Sequence, residues 1–549
     1  MTSRREFLKI ASLTSAAAIF PFQKSFGKQF ITQYFALNEF IENNPDAVFI
    51  FKTNIDVSSN AAAIRQAAGN LGSTLFVTKN TATRAYPVSS NISIKPNVTA
   101  WSFQVSGQTF DQVFPHVRGA QTDANFVGGI VDSLKGLSID ASNIYLHDGN
   151  YGGDQSLDGK WYGDMAQQAG VNLKNLSAGV SNINAHDIQW IDVQSGTWFK
   201  RIPYLWPVNS PGSCFINIAK MKSHSMGMTL CSKNQQGTMA QPYIRHCTAW
   251  GSTMGDSGVG YVATNDIVTN AFATIQSNYK SHKNSIPRWK TLDDQASAGS
   301  TGGLWMETHH ARCLDNNATL QPMINMIEAV YGREGPFVVG PTGPGLDGYG
   351  IDKMMNMIIF GKNARHVDII GVYLAGHEPG NFGLFHIAKE RGLSSYLNPA
   401  DVPLYEWKSD GSATLSSLDQ FTRTSIPTLY LQQAGEDQFH MVDQTYDYSG
   451  STVVKITKQD APDAFVIHQN FPNPFNPTTS IQYYIPKSGN VRLEIFDIRG
   501  QVVDVLVDGY MRAGDHLKVW NSTQRASGTY FYRILYGGFS KTKSMVLIK

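Results

Sequence analysis

The sequence predicts an α/β central domain with a mostly parallel sheet, followed by a small C-terminal antiparallel β-sandwich. Three observations predict this. Between residues 28 and 462, apolar runs of strand length alternate with segments of helical spacing, as in a sheet whose strands are joined by crossover helices. From Thr478 onward, six alternating runs recur at about ten-residue spacing with turn residues between them, the pattern of a small sandwich. The length of 549 residues also exceeds what one core supports, so the chain divides into domains.

The elements follow in order. Met1-Thr-Ser-Arg-Arg-Glu-Phe-Leu-Lys9 is a basic head, and residues 10–20 form a mildly apolar run. That run is too short for the roughly 20 residues of a membrane span, so residues 1–27 read as a signal peptide cut after Ser25-Phe-Gly27. The mature chain is expected to have no transmembrane segment. Buried strands are expected at 47–51, 75–77, 92–94, 144–146, 214–218 and 337–339, and helices at 61–69, 125–134, 161–169, 320–331 and 366–375. Residues 250–304, rich in Gly, Ser, Thr and Asn, read as an inserted loop region. The central domain closes at 462, and a Pro-rich linker, 463–477, leads into the sandwich at 478–549. Its strands are expected at 480–485, 491–497, 502–507, 515–520, 529–536 and 541–548.

Composition narrows the function classes. With 45 Lys+Arg against 43 Asp+Glu, there is no basic field to neutralise phosphates, which argues against a nucleic-acid partner. At 42% hydrophobic, the chain can fill a large core and is not disordered. The cysteines Cys214, Cys231, Cys247 and Cys313 form no C-x-x-C pair, so zinc and iron–sulfur spacings are absent. An even count in an exported chain permits disulfides without assigning them, and Cys214 is expected in the core.

The densest chemistry lies between Phe215 and Asn234. An apolar strand ending at Ala219 would deliver Lys220, Lys222, Ser223 and His224 onto the following loop, at the carboxyl end where open α/β sheets bind ligands. Gly227 permits a tight turn, and Thr229, Lys233 and Asn234 return on a short helix or turn. Lysines, a histidine and free backbone N–H groups suit a carboxylate or phosphate. His224 is a candidate general base or metal ligand. The Gly-rich stretch from Gly335 to Gly350 has neither Walker nor Rossmann spacing. After it, a strand at 354–360 leads to a helix capped by Asn363, with Asp368 in its early turns. Glu307 and His310 share a helix face at i and i+3, but H-E-x-x-H spacing is absent and a core or surface role for His309-His310 is favoured.

Three resemblances add to these residues. Arg4-Arg5 with Phe7-Leu8-Lys9 resembles a twin-arginine (Tat) signal, implying the Tat translocase as a partner. Gln469-Asn-Phe-Pro-Asn-Pro-Phe-Asn-Pro-Thr478, Val491-Arg-Leu-Glu-Ile-Phe-Asp497 and Ala526-Ser-Gly-Thr-Tyr-Phe-Tyr532 resemble the sorting domain of type IX secretion cargo. Together they imply passage through the periplasm to the cell surface or medium. The central region resembles the domain of unknown function 362 through Ile94-Lys-Pro-Asn97, residues 216–234, 334–368 and 388–393. That resemblance implies that Lys95, Lys222, His224, Lys233, Asn234 and Asp368 form one site; with the residues above, His224, Lys222, Lys233 and Asp368 are expected to be catalytic and Lys95, Asn97, Lys220, Thr229 and Asn234 to bind the ligand. It brings no established reaction, metal or cofactor, and the chain lacks the ferredoxin-like cysteines that many relatives carry. The first expectation is an exported enzyme with a Lys/His anion- or metal-binding site; the alternative is a non-catalytic surface binding protein.

Overall fold

The computed structural model describes residues 33–98, 118–148, 157–175, 188–208, 210–224, 227–239, 303–334, 351–426, 466–467, 469–470, 472–485, 489–511, 514–536 and 539–548, with isolated positions between them. The signal region, Cys247, most of 250–304, the Gly-rich loop 335–350 with its expected strand 337–339, and residues 451–465 lie outside the described residues. The chain divides into two compact units, Met1–Ser451 and Thr452–Lys549. Among the described residues, no helix is long and apolar enough to cross a membrane.

The strands of the first unit are β1 (Tyr34–Leu37), β2 (Val48–Lys52), β3 (Phe76–Lys79), β4 (Tyr86–Pro87), β5 (Ile92–Pro96), β6 (Ile144–Asp148), β7 (Asn172–Asn175), β8 (Ile188–Asp192), β9 (Arg201–Leu205), β10 (Cys214–His224), β11 (Gly227–Thr229), β12 (Ile324–Glu334), β13 (Ile351–Gly361), β14 (Leu404–Trp407) and β15 (Ala413–Leu415). Its helices are α1 (Glu39–Asn43), α2 (Ala61–Leu75), α3 (Ala124–Lys135), α4 (Leu157–Ala169), α5 (Cys231–Asn234), α6 (Gly303–Thr319), α7 (Ala364–Leu374) and α8 (Gly383–Glu390). The main sheet has the order β15-β14-β2-β13-β12-β10-β5-β6-β7, with β11 folded back on β10. The block β12-β10-β5-β6-β7 is parallel throughout, β14 and β2 are parallel to each other, and β13 is antiparallel to both its neighbours.

β10 and β12 are buried at every position, as parallel strands covered on both faces must be. Their side chains alternate between two cores. Phe215, Ala219, Met221, Ile327 and Ile359 pack with α7 on one face. Ile216, Ile218, Ile324, Met326 and Phe360 pack with α2, α3 and α4 on the other. Glycines let α2 and α3 approach closely: a Cβ on Gly129 would lie 2.2 Å from the Arg65 carbonyl oxygen, and one on Gly72 would lie 2.1 Å from Ser133 Oγ. Arg65 then grips Asp132 across the helix pair, with Nε–Oδ2 at 2.7 Å and Nη2–Oδ1 at 3.0 Å.

Two local expectations are corrected. The run 320–331 was expected to be helical but is strand β12 from Ile324 onward. A segment apolar on both faces carries no period that separates helix from strand, and pairing with β10 and β13 decides it. The strand expected to end at Ala219 continues to His224. Its polar residues stay in the sheet because Lys220 pairs with Glu328 of β12 and Lys222 donates to the Ala120 carbonyl.

In the second unit all six expected runs are strands: β17 (Thr478–Ile485), β18 (Gly489–Asp497), β19 (Val502–Met511), β20 (Gly514–Asn521), β21 (Gly528–Tyr536) and β22 (Phe539–Leu547), preceded by β16 (Val466–Ile467). They form antiparallel sheets β16-β17-β20 and β19-β18-β21-β22 around Ile481, Tyr483, Leu493, Ile495, Trp520, Tyr532 and Ile534. The Pro-rich stretch is built into this sandwich. Phe475 is buried, its N–H donates to the Val546 carbonyl at 3.0 Å, and its carbonyl accepts from Ile548 at 3.0 Å. Asn470 Nδ2 donates to Thr479 Oγ1 at 2.9 Å.

Gly129→Ala is expected to lower the stability of the central unit by about 1–3 kcal/mol, because the new methyl meets backbone that cannot yield. The urea midpoint measures it; an unchanged midpoint would show that the two helices have room to part.

Candidate functional site

Strands β5, β6, β10 and β12 run parallel, so their carboxyl ends share one edge of the sheet. Along β10, Asn217 lies in register with Lys95 on one side and Asn325 on the other. This row anchors α5. Asn234 Nδ2 donates to Asn217 Oδ1 at 2.8 Å and to the Lys95 carbonyl at 3.1 Å. Its Oδ1 accepts from Lys95 Nζ at 3.0 Å and from Asn97 Nδ2 at 3.1 Å. Asn217 Nδ2 donates in turn to Asn325 Oδ1 at 2.8 Å.

Lys95 is 1% exposed, and its ammonium meets Asp148 Oδ2 at 2.7 Å and the Pro96 carbonyl at 2.7 Å. Burial lowers its pKa and the Asp148 charge opposes the shift. The turn after α5 closes over this pair without a side chain: a Cβ on Gly237 would lie 2.3 Å from Lys95 Cε.

A second polar group sits farther along β10. Lys220 Nζ meets Glu328 Oε2 at 2.5 Å with both side chains wholly buried, and lies 3.3 Å from the Tyr331 ring centroid. Tyr331 donates its hydroxyl to Asp123 Oδ2 at 2.8 Å. Burial pushes the lysine down and the glutamate up, and the charge of each opposes the other's shift. Lys222 Nζ donates to the Ala120 carbonyl at 2.5 Å, and Thr229 lies opposite Lys222 in the β10–β11 ladder.

The third group lies against α7. Asp368 accepts from the backbone N–H of Cys231 at 2.7 Å and of Ser232 at 2.8 Å, capping α5 from a neighbouring helix. Burial first, against those hydrogen bonds, pushes its carboxyl up to about 6. Asp368 and Lys233 line a small cavity of ≈ 20 Å³ together with His309, His310 and Cys313. That volume holds about one water. The His224 ring stacks toward His309 with centroids 6.3 Å apart and planes 11° off parallel, and Cys313 Sγ lies 3.6 Å from His309 Nε2. Burial holds both imidazoles well below their usual pKa, helped for His224 by Lys233 and Lys222, and for His309 by His310, Arg312 and Lys233. They are therefore neutral near pH 7.

The sequence-derived residues thus fall into three neighbouring groups. Lys95, Asn97 and Asn234 share one hydrogen-bond network, Lys220 occupies a separate buried pair, and Lys233 and Asp368 share the cavity beside which His224 stands. The structure adds Cys313 to these residues, and with it His309 and His310, for which a core or surface role is the sequence expectation. All three are buried on α6. The i, i+4 spacing of His309 and Cys313 was the available signal. Among the described residues, no group of three His, Cys, Asp or Glu side chains is arranged to hold a metal ion.

A family described as Domain of unknown function (DUF362) matches residues 92–373, and one described as Secretion system C-terminal sorting domain matches residues 469–549. The first match begins on β5 and ends on α7, so it takes in every residue of the three groups. No curated protein matches the chain.

Asp368→Asn leaves one N–H of α5 facing an amide that cannot accept, and is expected to cost about 1–3 kcal/mol. The folded carboxyl titrates near 6 against an ordinary 3.8, so its contribution to stability is full below about pH 4 and is lost as the pH rises through 6. Asparagine does not titrate. The Tm gap between the two proteins should therefore narrow from pH 4 to pH 7, and a widening gap would contradict the assignment.

Proposed function

The chain belongs to the DUF362 family, and on that premise we propose that it is an exported enzyme whose site is the Lys/His cavity at the carboxyl edge of the central sheet. The observation that supports this most is the convergence of Lys233, His309, His310 and Cys313 on one buried cavity, with His224 stacked beside it. Lys233 supplies the positive charge for a substrate carboxylate or phosphate. His224 and His309, neutral near pH 7, supply a proton acceptor or a metal ligand. Burial, with Lys233 and then Lys222 beside it, holds the His224 pKa down. Asp368 holds α5, and so Lys233, in place.

Lys95, Asn97, Lys220, Thr229 and Asn234 complete the polar edge. Asn97 Oδ1, Ser223 Oγ, Thr229 Oγ1 and both polar atoms of the Gln236 amide are buried without a partner among the described residues. Orphaned polar atoms of this kind are what a ligand's hydroxyl, carbonyl or bound water would satisfy.

The second reading, a non-catalytic surface binding protein, draws on one observation. The cavity has room for about one water, and Lys95 and Lys220 already spend their charge on buried carboxylates. A panel of carboxylate and phosphate esters offered to the mature chain separates the two. Turnover that falls at least a hundredfold in His309→Gln or His224→Gln, with the Tm retained, supports the enzyme. Saturable binding of inorganic phosphate without turnover, weakened tenfold or more by Lys233→Ala, supports the binding protein.

The sorting domain at 469–549 marks the chain for type IX secretion, to the cell surface or extracellular space. We further propose entry into the periplasm by the Tat route, from Arg4-Arg5 and Phe7-Leu8-Lys9. Replacing Arg4 and Arg5 by Lys is expected to leave the uncut precursor in the cytoplasm, and deleting residues 469–549 to leave the cut protein in the periplasm. Fractionation and immunoblotting check both; normal export of the double-Lys variant would remove the Tat assignment.

A further inference from the structure

The opposite edge of the same sheet carries an open cleft of ≈ 570 Å³. Pro322 and Met323 precede β12, Lys362 and Asn363 follow the antiparallel β13, and Glu42 and Asp46 precede β2, so all of them gather at the amino ends of the parallel strands. Arg84 and Tyr86, at the small sheet β3-β1-β4, form the remaining wall. The volume falls within the range of small-molecule pockets.

The charges in this cleft do not balance. Lys362 Nζ meets Glu42 Oε2 at 2.6 Å and is neutralised there. Among the described residues Arg84 reaches the Glu42 carbonyl and Asn43 Oδ1, each at 3.4 Å, and it stands in the left-handed region with φ 52°. Asp46 is 57% exposed and faces the neutral imidazole of His366, which burial pushes down to about 4. Arg365 lines the cleft and is only 8% exposed; its Nε donates to the Leu393 carbonyl at 2.9 Å, its two Nη groups make no hydrogen bond among the described residues, and its acidic neighbour is the buried Asp368 one turn along α7. Two unused donors on a mostly buried guanidinium, still reached by solvent from the cleft, are available to a ligand.

We infer that this cleft binds a small organic anion, a carboxylate or phosphate ester with an apolar body, held by the Arg365 fork with Arg84 beside it. The planar guanidinium presents two parallel donors that match the two oxygens of a carboxylate or phosphate. Pro45, Pro322, Met323 and the Tyr86 ring offer apolar surface for the body, and Lys362, held by Glu42, borders the entrance. The site is separate from the Lys/His cavity, since no residue lines both.

Isothermal titration of the full mature chain with benzoate and with phenyl phosphate tests this. Saturable binding of at least one probe is expected, weakened tenfold or more in Arg365→Gln and several-fold in Arg84→Gln. Among the described residues Arg84 makes just those long contacts, so its variant keeps the test decisive if Arg365→Gln fails to fold. Absence of binding to both probes would overturn the inference. So would binding that both cleft variants retain, or that Lys233→Ala abolishes while the cleft variants keep it, which would place the anion at the carboxyl edge.

Discussion

The carboxylate of Asp368 on the first N–H groups of α5 is the contact on which the carboxyl edge depends. A four-residue helix has too few internal hydrogen bonds to hold itself, and here its orphan donors are satisfied by a side chain from α7. Once α5 is pinned, Asn234 reaches the Lys95–Asn217–Asn325 row and Lys233 faces the cavity. The turn that follows closes over Lys95 through Gly237. One buried carboxylate, placed by a helix far along the chain, therefore sets the positions of Lys233 and Asn234, while the strands hold the other polar residues.

The charge distribution follows from the same burial. Lys95 and Lys220 lie at or near strand ends yet are fully enclosed, each against a carboxylate from the adjacent strand. Such pairs return little net stability, because desolvation consumes what the ion pair provides. Their consequence is geometric: Lys220, paired with Glu328, allows β10 to continue as paired sheet to His224 where a lone charge would have ended it. Lys233 differs, being half-buried on the cavity wall and making no ion pair with a carboxylate among the described residues, which suits it to an incoming anion.

The sheet has two working edges. The carboxyl edge is closed, layered with amide networks and neutral imidazoles; the amino edge opens as a wide cleft with an excess of positive charge. Histidines kept neutral by burial and neighbouring cations, and an arginine left with open donors, are different answers to burying nitrogen bases. The imidazole sheds its proton, whereas the guanidinium keeps its charge near pH 7.

Much of this was legible in the residues. Alternating runs after Thr478 specify the sandwich strands because one face of each must be apolar and turn residues punctuate them. Signals such as Lys-x-Lys-x-His, the Asn363 cap and the family motifs are likewise local, and local chemistry is what a chain displays in one dimension. The identity of β12 was not, since a segment buried on both faces has no period and only its partners make it a strand. Nor were the partners of Lys220, the cap made by Asp368, or the meeting of His224 with His309 and Cys313. Each joins residues dozens to more than a hundred positions apart, and which distant side chain satisfies a buried charge is settled only when the sheet order brings them together.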